Sequence, residues 1–177
     1  VGAAPIGRDL LEFFDACGVL VLEGYGLTET CAAATINTVD AVRFGTIGRA
    51  LPGSEVAVAG DGEILIRGPQ VFRGYFKDAG ATEAMLTPDG WLHSGDLGSI
   101  SEDGFVTITG RKKDLIITSS GKNITPQNIE NSLREIRWIS DAVVYGDRRP
   151  YLVCLVTLDR DESRLLSEQL GIADDPA

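Results

Sequence analysis

The stretch from Asp89 to Lys113, DGWLHSGDLGSISEDGFVTITGRKK, constrains the fold more than any other part of the chain. Pro88-Asp89-Gly90 predicts a turn, and the residues after it a strand ending at Gly95-Asp96. A hairpin through Glu102-Asp103-Gly104 follows, because Asp-Gly between alternating apolar residues favours the tight hairpin turns. The strand Phe105 to Thr109 then runs into the basic cluster Arg111-Lys112-Lys113. A carboxylate after a glycine at one strand end, with a guanidinium at the end of a later strand, can grip a vicinal diol. Asp96 accepts from two hydroxyls, and Arg111 donates to the same sugar or to a neighbouring phosphate. On these two residues alone, a hairpin with a surface ion pair is the simpler account.

Upstream, Leu10, Leu11, Phe13, Phe14 and Cys17 follow a helical pattern closed by Gly18, where a helix cap favours glycine. The short apolar run Val19 to Leu22 predicts a strand buried on both faces. It delivers Glu23-Gly24-Tyr25-Gly26-Leu27-Thr28-Glu29, and open α/β sheets present ligands at such strand ends. Gly24 and Gly26 let backbone approach a flat or anionic ligand. Tyr25 offers an aromatic face, Thr28 a hydroxyl for a phosphate oxygen, and Glu29 a hard oxygen for Mg²⁺. A tight turn with Thr28 or Thr30 capping a helix accounts for the same loop about equally well.

From residue 36 to 88 the texture changes to short strands punctuated by glycine and proline, with a hairpin at Asp61-Gly62 that alternates Ile64 and Ile66 with Leu65 and Arg67. Strands at this spacing predict a small barrel, and Ala81 to Leu86 a short helix. Arg73 is expected to be a surface charge. Beyond it, Gly110 to Leu115 has cations and no apolar periodicity, so few contacts would hold it. Leu115 to Ile124 predicts a second hairpin. Thr125 and Pro126 open a helix with Ile129, Leu133 and Ile136 on one face. Two strands, Ala142 to Tyr145 and Tyr151 to Leu158, and a helix from Glu162 to Leu170 complete a small α+β unit, with Arg148 and Arg149 in a solvated turn.

A formal net charge of −10 and the lack of a basic stripe with interleaved aromatics argue against nucleic acid as a partner. Cys17, Cys31 and Cys154 are odd in number and scattered among apolar residues, so they are expected to be buried free thiols of a reducing, cytoplasmic compartment. No apolar run approaches the length of a membrane span. His93, the single histidine, excludes a His-rich metal site and is expected to be a packed strand residue.

The run DGWLHSGD…DGF…GRKKD resembles the signature of the adenylate-forming superfamily (acyl-CoA synthetases, luciferases and adenylation domains), closest to long-chain fatty-acid–CoA ligases. Tyr25-Gly26-Leu27-Thr28-Glu29 is similar to its adenine-and-phosphate motif, and Gly2-Ala3-Ala4-Pro5 to its Gly-Gly-Ala-Pro segment with Ala3 in place of a glycine. The resemblance implies a mixed α/β and α+β fold: the end of an open α/β sheet (1–38), a small distorted β-barrel (39–110), then the start of an α+β lid domain (111–177). It implies nucleotide contacts from Gly2, Ala3, Ala4, Gly24, Tyr25, Gly26, Thr28, Asp96 and Arg111. Thr28 and Glu29 would be catalytic, with Glu29 on the metal. Lys113 would be the hinge, and Ser120-Gly121 the loop beside CoA, Ser120 replacing a glycine. ATP, Mg²⁺ and CoA are the implied cofactors and substrates, and a fatty acid the acyl donor, with peripheral membrane contact left open.

The chain opens without methionine and contains neither a glycine-rich phosphate loop with its lysine nor the late lysine of the lid. It is therefore expected to be a piece of a longer enzyme and inactive alone. A fatty-acyl-AMP ligase serving a carrier protein is the competing enzyme, and a non-catalytic nucleotide-binding module the competing non-enzyme.

Overall fold

The computed structural model describes residues 1–3 and 6–171. The chain forms two compact units, Val1–Lys113 and Asp114–Ala177.

Unit one begins with helix α1 (Arg8–Ala16), ended as expected by Gly18 in the left-handed conformation, φ 78°. Leu11 alone of its residues is buried, and Leu10, Phe13 and Phe14 are exposed. The run Val19–Leu22 is not a strand: Val19 is half exposed, and the extended backbone meets Val1, whose amine donates to Leu22 O (2.6 Å) and whose carbonyl accepts from Gly24 N (2.9 Å). An apolar run signals burial only where neighbouring strands cover it, and none of the described residues pairs with it as a strand.

Strands β1 (Gly24–Tyr25), β2 (Thr35–Ile36) and β3 (Arg49–Ala50) form a short antiparallel sheet. Then β4 (Glu55–Val58) and β5 (Glu63–Arg67) make the hairpin expected at Asp61-Gly62, with Gly62 at φ 88°. Helix α2 (Ala79–Met85) follows, capped by the Asp78 carboxylate on the Ala81 N–H, 2.9 Å. Strands β6 (Leu92–Ile100) and β7 (Val106–Arg111) complete a four-stranded antiparallel meander, β4-β5-β6-β7. Val106 also exchanges hydrogen bonds with Ile47 N and Gly48 O, both 2.9 Å, so backbone leading into β3 closes on the free edge of β7. That closure curls the two sheets around one core of Ala34, Ile64, Ile66, Leu92 and Val106. Each of the larger members contributes roughly 1.5–3 kcal/mol by burial.

Strand β6 does not stop at Asp96. It continues to Ile100 across a bulge in which three residues, Ser94–Asp96, stand opposite Ile64 alone: Glu63 pairs with Leu97 and Leu65 with His93. Gly95, at φ 73°, supplies the left-handed residue that lets the strand resume.

The Glu102-Asp103-Gly104 turn is pinned by charge. Arg43 reaches Asp103 through Nη1 (3.1 Å) and Nη2 (2.5 Å), and the Ser101 hydroxyl donates to the same carboxylate (2.6 Å). These contacts, the Arg43 bond foremost, hold the Asp103 carboxyl down to about 2. The guanidinium carbons of Arg43 and Arg49 lie 4.2 and 4.4 Å from the centroid of the Phe105 ring.

In unit two, β8 (Ile116–Ile117) and β9 (Asn123–Ile124) form the expected hairpin. Helix α3 (Pro126–Arg134) has proline in its first turn, but the Thr125 hydroxyl makes no capping bond. Strands β10 (Ile139–Tyr145) and β11 (Val153–Leu158) pair antiparallel, with Ala142 and Val144 buried. Helix α4 (Arg160–Leu170) is capped by Asp159, which accepts from Asp161 N and Glu162 N.

All three cysteines are free but exposed, contrary to the expectation of burial. Cys17 is the C-cap of α1, Cys31 sits at φ 51° in a tight turn, and Cys154 lies on β11, exposed along its whole length.

Replacing Phe105 (5% exposed) with alanine is expected to cost about 3–5 kcal/mol in urea unfolding. Phe105→Leu, which keeps part of the apolar volume but loses both cation contacts, should cost about 1–2 kcal/mol.

Candidate functional site

Asp96 and Arg111 are Cα partners on β6 and β7. The antiparallel ladder therefore presents carboxylate and guanidinium side by side, with Arg111 Nε 3.1 Å from Asp96 Oδ1. Asp96 is 3% exposed, whereas about half of the Arg111 side chain meets solvent. The second carboxylate oxygen takes a 2.5 Å hydrogen bond from the Tyr25 hydroxyl, delivered by β1. Residues 71 positions apart thus converge on one buried acid. Burial, then the bond to Asp96, raises the Tyr25 hydroxyl well above its ordinary value, so it remains a donor at neutral pH. A carboxylate has about four lone-pair positions, so Asp96 retains acceptor capacity for ligand hydroxyls.

The loop after β1 is a single 3₁₀ turn, Thr28–Thr30. Thr30, not Thr28, stabilises it: its hydroxyl accepts from Leu27 N (2.8 Å) and donates to Leu27 O (3.0 Å). Thr28 is left exposed. Glu29 is half-buried; its carbonyl accepts from Phe72 N (2.8 Å), and its Oε1 accepts from the Tyr75 hydroxyl (2.6 Å). Tyr75 lies in the stretch from 36 to 88, where the sequence points only to short strands, a barrel and a helix. Gly74-Tyr75-Phe76 carries no signal of its partner, because the contact spans 46 residues. Arg73 is exposed, as expected.

The glycines also meet a demand from within the protein. A Cβ on Gly26 would stand 1.8 Å from Ala32 O, and one on Gly2 would stand 2.9 Å from Gly24 O. One on Gly24 would meet Thr35 O at 3.2 Å. Gly26 and Gly2 leave no room for a Cβ because protein backbone crosses there, and Gly24 leaves little. Ala3 holds φ 72°, the left-handed conformation that favours glycine, at the position where the resembling segment has one. Ala4 lies outside the described residues.

His93 is not simply packed. It joins a cluster that no local pattern signals, in which buried Glu63 faces His93 Nδ1 and Lys112 Nζ, both at 3.0 Å, and accepts from Gly95 N at 2.9 Å. Burial works to raise the Glu63 carboxyl, but the bonds from His93, Lys112 and Gly95 outweigh it and hold the group below its ordinary value. Lys112 also reaches Asp61, at 2.6 Å.

Lys113 is exposed and ends unit one. In unit two the tip of the β8–β9 hairpin carries Ser120 and Gly121, both exposed, with Gly121 at φ 78° and the Ser120 and Thr118 hydroxyls 2.9 Å apart. The Gly146–Pro150 turn is bonded to this hairpin through Arg148 N to Ile117 O (2.8 Å) and Ser119 N to Arg149 O (3.0 Å). Among the described residues there is no cluster of three His, Cys, Asp or Glu able to hold a metal ion, and no helix long and apolar enough to cross a membrane.

Residues 1–76 match the AMP-binding enzyme model, and residues 113–173 match the AMP-binding enzyme C-terminal domain. The chain belongs to the AMP-binding enzyme family. It is 46% identical over 158 residues to the long-chain-fatty-acid–CoA ligase FadD15 of Mycobacterium bovis, covering 89% of this chain and 26% of that protein. To the putative fatty-acid–CoA ligase fadD11 of Mycobacterium tuberculosis it is 40% identical over 177 residues, covering 99% of this chain and 31% of the relative. The chain thus spans about a quarter to a third of these curated relatives. Among solved structures it resembles o-succinylbenzoate CoA synthetase (MenE) of Bacillus subtilis in complex with the acyl-adenylate intermediate OSB-AMP. The TM-score is 0.83 at 28% identity, over 98% of this chain and 39% of that one. ATP-bound MatB of Rhodopseudomonas palustris gives 0.79 at 33% identity, over 98% and 38%.

Because the folded carboxyl of Glu63 lies below its ordinary value of 4.5, its stabilising contribution is present above that pH and is lost as pH falls through the lower folded value. The stability difference between wild type and Glu63→Gln in urea unfolding should be flat at neutral pH and shrink below about 4.5.

Proposed function

We propose that this chain supplies one wall of the nucleotide site in a long-chain fatty-acid–CoA ligase of the AMP-forming type. The observation that carries it is Asp96, buried yet held between a tyrosine hydroxyl and a half-exposed guanidinium. An acid so placed can accept from both hydroxyls of a ribose while Arg111 offers N–H groups to the sugar or its phosphate. Tyr25 would lie beside the adenine, with Gly2, Ala3, Ala4, Gly24 and Gly26 shaping the backbone around it, and the Thr28 hydroxyl would donate to an α-phosphate oxygen. Relatives named as fatty-acid–CoA ligases support the substrate class.

In the first half-reaction a fatty carboxylate oxygen attacks the α-phosphorus of ATP, and the bond to pyrophosphate breaks. In the second the CoA sulfur attacks the acyl carbon, and AMP leaves as the thiol proton is lost. The work of the protein is to hold and neutralise charge rather than to form bonds of its own. Mg²⁺, when bound, would neutralise phosphate charge. Glu29 would be its protein ligand, which fits an ion that takes one or two carboxylates and completes its shell with phosphate and water. Tyr75 orients that carboxylate.

Lys113 is the proposed pivot between the large domain (1–110) and the lid (111–177), with the Ser120-Gly121 tip meeting the pantetheine arm of CoA. Ser120 is accommodated because the left-handed turn residue is Gly121.

In the full-length protein bearing these residues, palmitate-dependent ATP–pyrophosphate exchange is expected, followed by acylation of CoA rather than of a carrier protein. Asp96→Ala should lower kcat/KM for ATP by about a hundredfold, the equivalent of two lost charge-assisted hydrogen bonds. The 177-residue chain, which contains no glycine-rich phosphate loop, should bind AMP but catalyse no exchange. Exchange unaffected by Asp96→Ala would sink the assignment.

A further inference from the structure

The bulge in β6 creates a problem that the site has to solve. Across Ser94–Asp96 the regular β5–β6 register is interrupted, and on the other side the β6–β7 register shifts again between Leu97 and Gly98. Asp96 therefore keeps its partner Arg111 on β7 but has no register partner on β5, so pairing on one side alone leaves its height to be set by other contacts.

Side chains replace the missing ladder bonds. The Ser94 hydroxyl donates to Ile64 O (2.6 Å) and accepts from Asp96 N (3.0 Å). Glu63, 4% exposed, accepts from Gly95 N through Oε1 (2.9 Å) and faces Lys112 Nζ and His93 Nδ1 through Oε2 (both 3.0 Å). Gly95 immediately precedes Asp96, and Lys112 immediately follows Arg111. One carboxylate thus holds the chain neighbours of both halves of the clamp. Burying a charge for stability alone is a poor bargain, since well-packed apolar groups usually serve as well or better. Geometry is what this charge provides.

We propose that Glu63 is a positioning residue for the Asp96–Arg111 pair, spanning the bulge so that carboxylate and guanidinium present themselves together to the nucleoside. The role rests on the nucleotide reading of Asp96 given above. Lys112, gripped by both Glu63 and Asp61, is part of the same latch and anchors unit one a single residue short of Lys113.

The test is made on the 177-residue chain by NMR, with and without AMP. In Glu63→Ala the Gly95 amide and Arg111 Nε resonances should move and the Gly95 amide exchange faster, while the methyl resonances of Ile66 and Leu92 stay in place. The AMP dissociation constant should rise about tenfold, as for one lost charge-assisted bond. Glu63→Gln, which keeps an acceptor for Gly95 but loses the charge facing Lys112, should fall between the two and carries the comparison if the alanine variant does not fold. Gly95 and Arg111 signals left unchanged in the variants, or unchanged AMP affinity, would overturn the positioning role. Moved signals in a chain whose wild type binds no AMP would uphold the latch geometry and overturn the nucleotide reading instead.

Discussion

The structure of the first unit depends on a carboxylate buried opposite a guanidinium. Asp96 is almost wholly removed from water, and such an acid is tolerable only when its charge and lone pairs are matched. Arg111 and the Tyr25 hydroxyl do the matching from two different strands. Breaking either contact leaves an under-satisfied buried acid, so β1, β6 and β7 are coupled through one side chain. About half of the Arg111 side chain remains in contact with solvent.

Around this pair the backbone is irregular, and the irregularity is supported rather than merely endured. A bulge turns Ser94, Gly95 and Asp96 out of the β5–β6 ladder, and Ser94 and Glu63 take over the lost hydrogen bonds. On the neighbouring loop, Thr30 closes the turn that leaves Thr28 exposed, and Tyr75 holds Glu29. In each case a residue outside the proposed site supports one that the proposal places in contact with ligand. Rigid support of this kind is what positional catalysis needs, because misplacement by an ångström can cost orders of magnitude in rate.

The glycines show how a motif can carry two demands at once. Gly26 and Gly24 flank Tyr25 in the loop proposed to face adenine, yet a Cβ at either would already meet protein backbone, at Ala32 O and Thr35 O. Backbone crosses closely on either side of Tyr25, whose hydroxyl reaches Asp96. The requirement for glycine is therefore met inside the protein, before any ligand arrives.

What the sequence by itself determined was local: the hairpins at Asp61-Gly62 and Asp103-Gly104, the helix closed by Gly18, and the run linking Asp96 to Arg111, where turn chemistry and alternation act over a few residues. It also named Tyr25, Thr28, Glu29, Asp96 and Arg111 as a set through motif likeness, although nothing in their spacing places Tyr25 on Asp96. It erred where burial depends on distant neighbours, as at Val19–Leu22 and the three cysteines, because an apolar context signals only that a residue can be buried. Glu63, Tyr75 and His93 went unrecognised for the same reason: their partners lie about 30 to 49 positions away. Tertiary structure alone decided which charges meet, since the strength of a hydrogen bond or ion pair falls off over a few ångströms of space and is indifferent to distance along the chain.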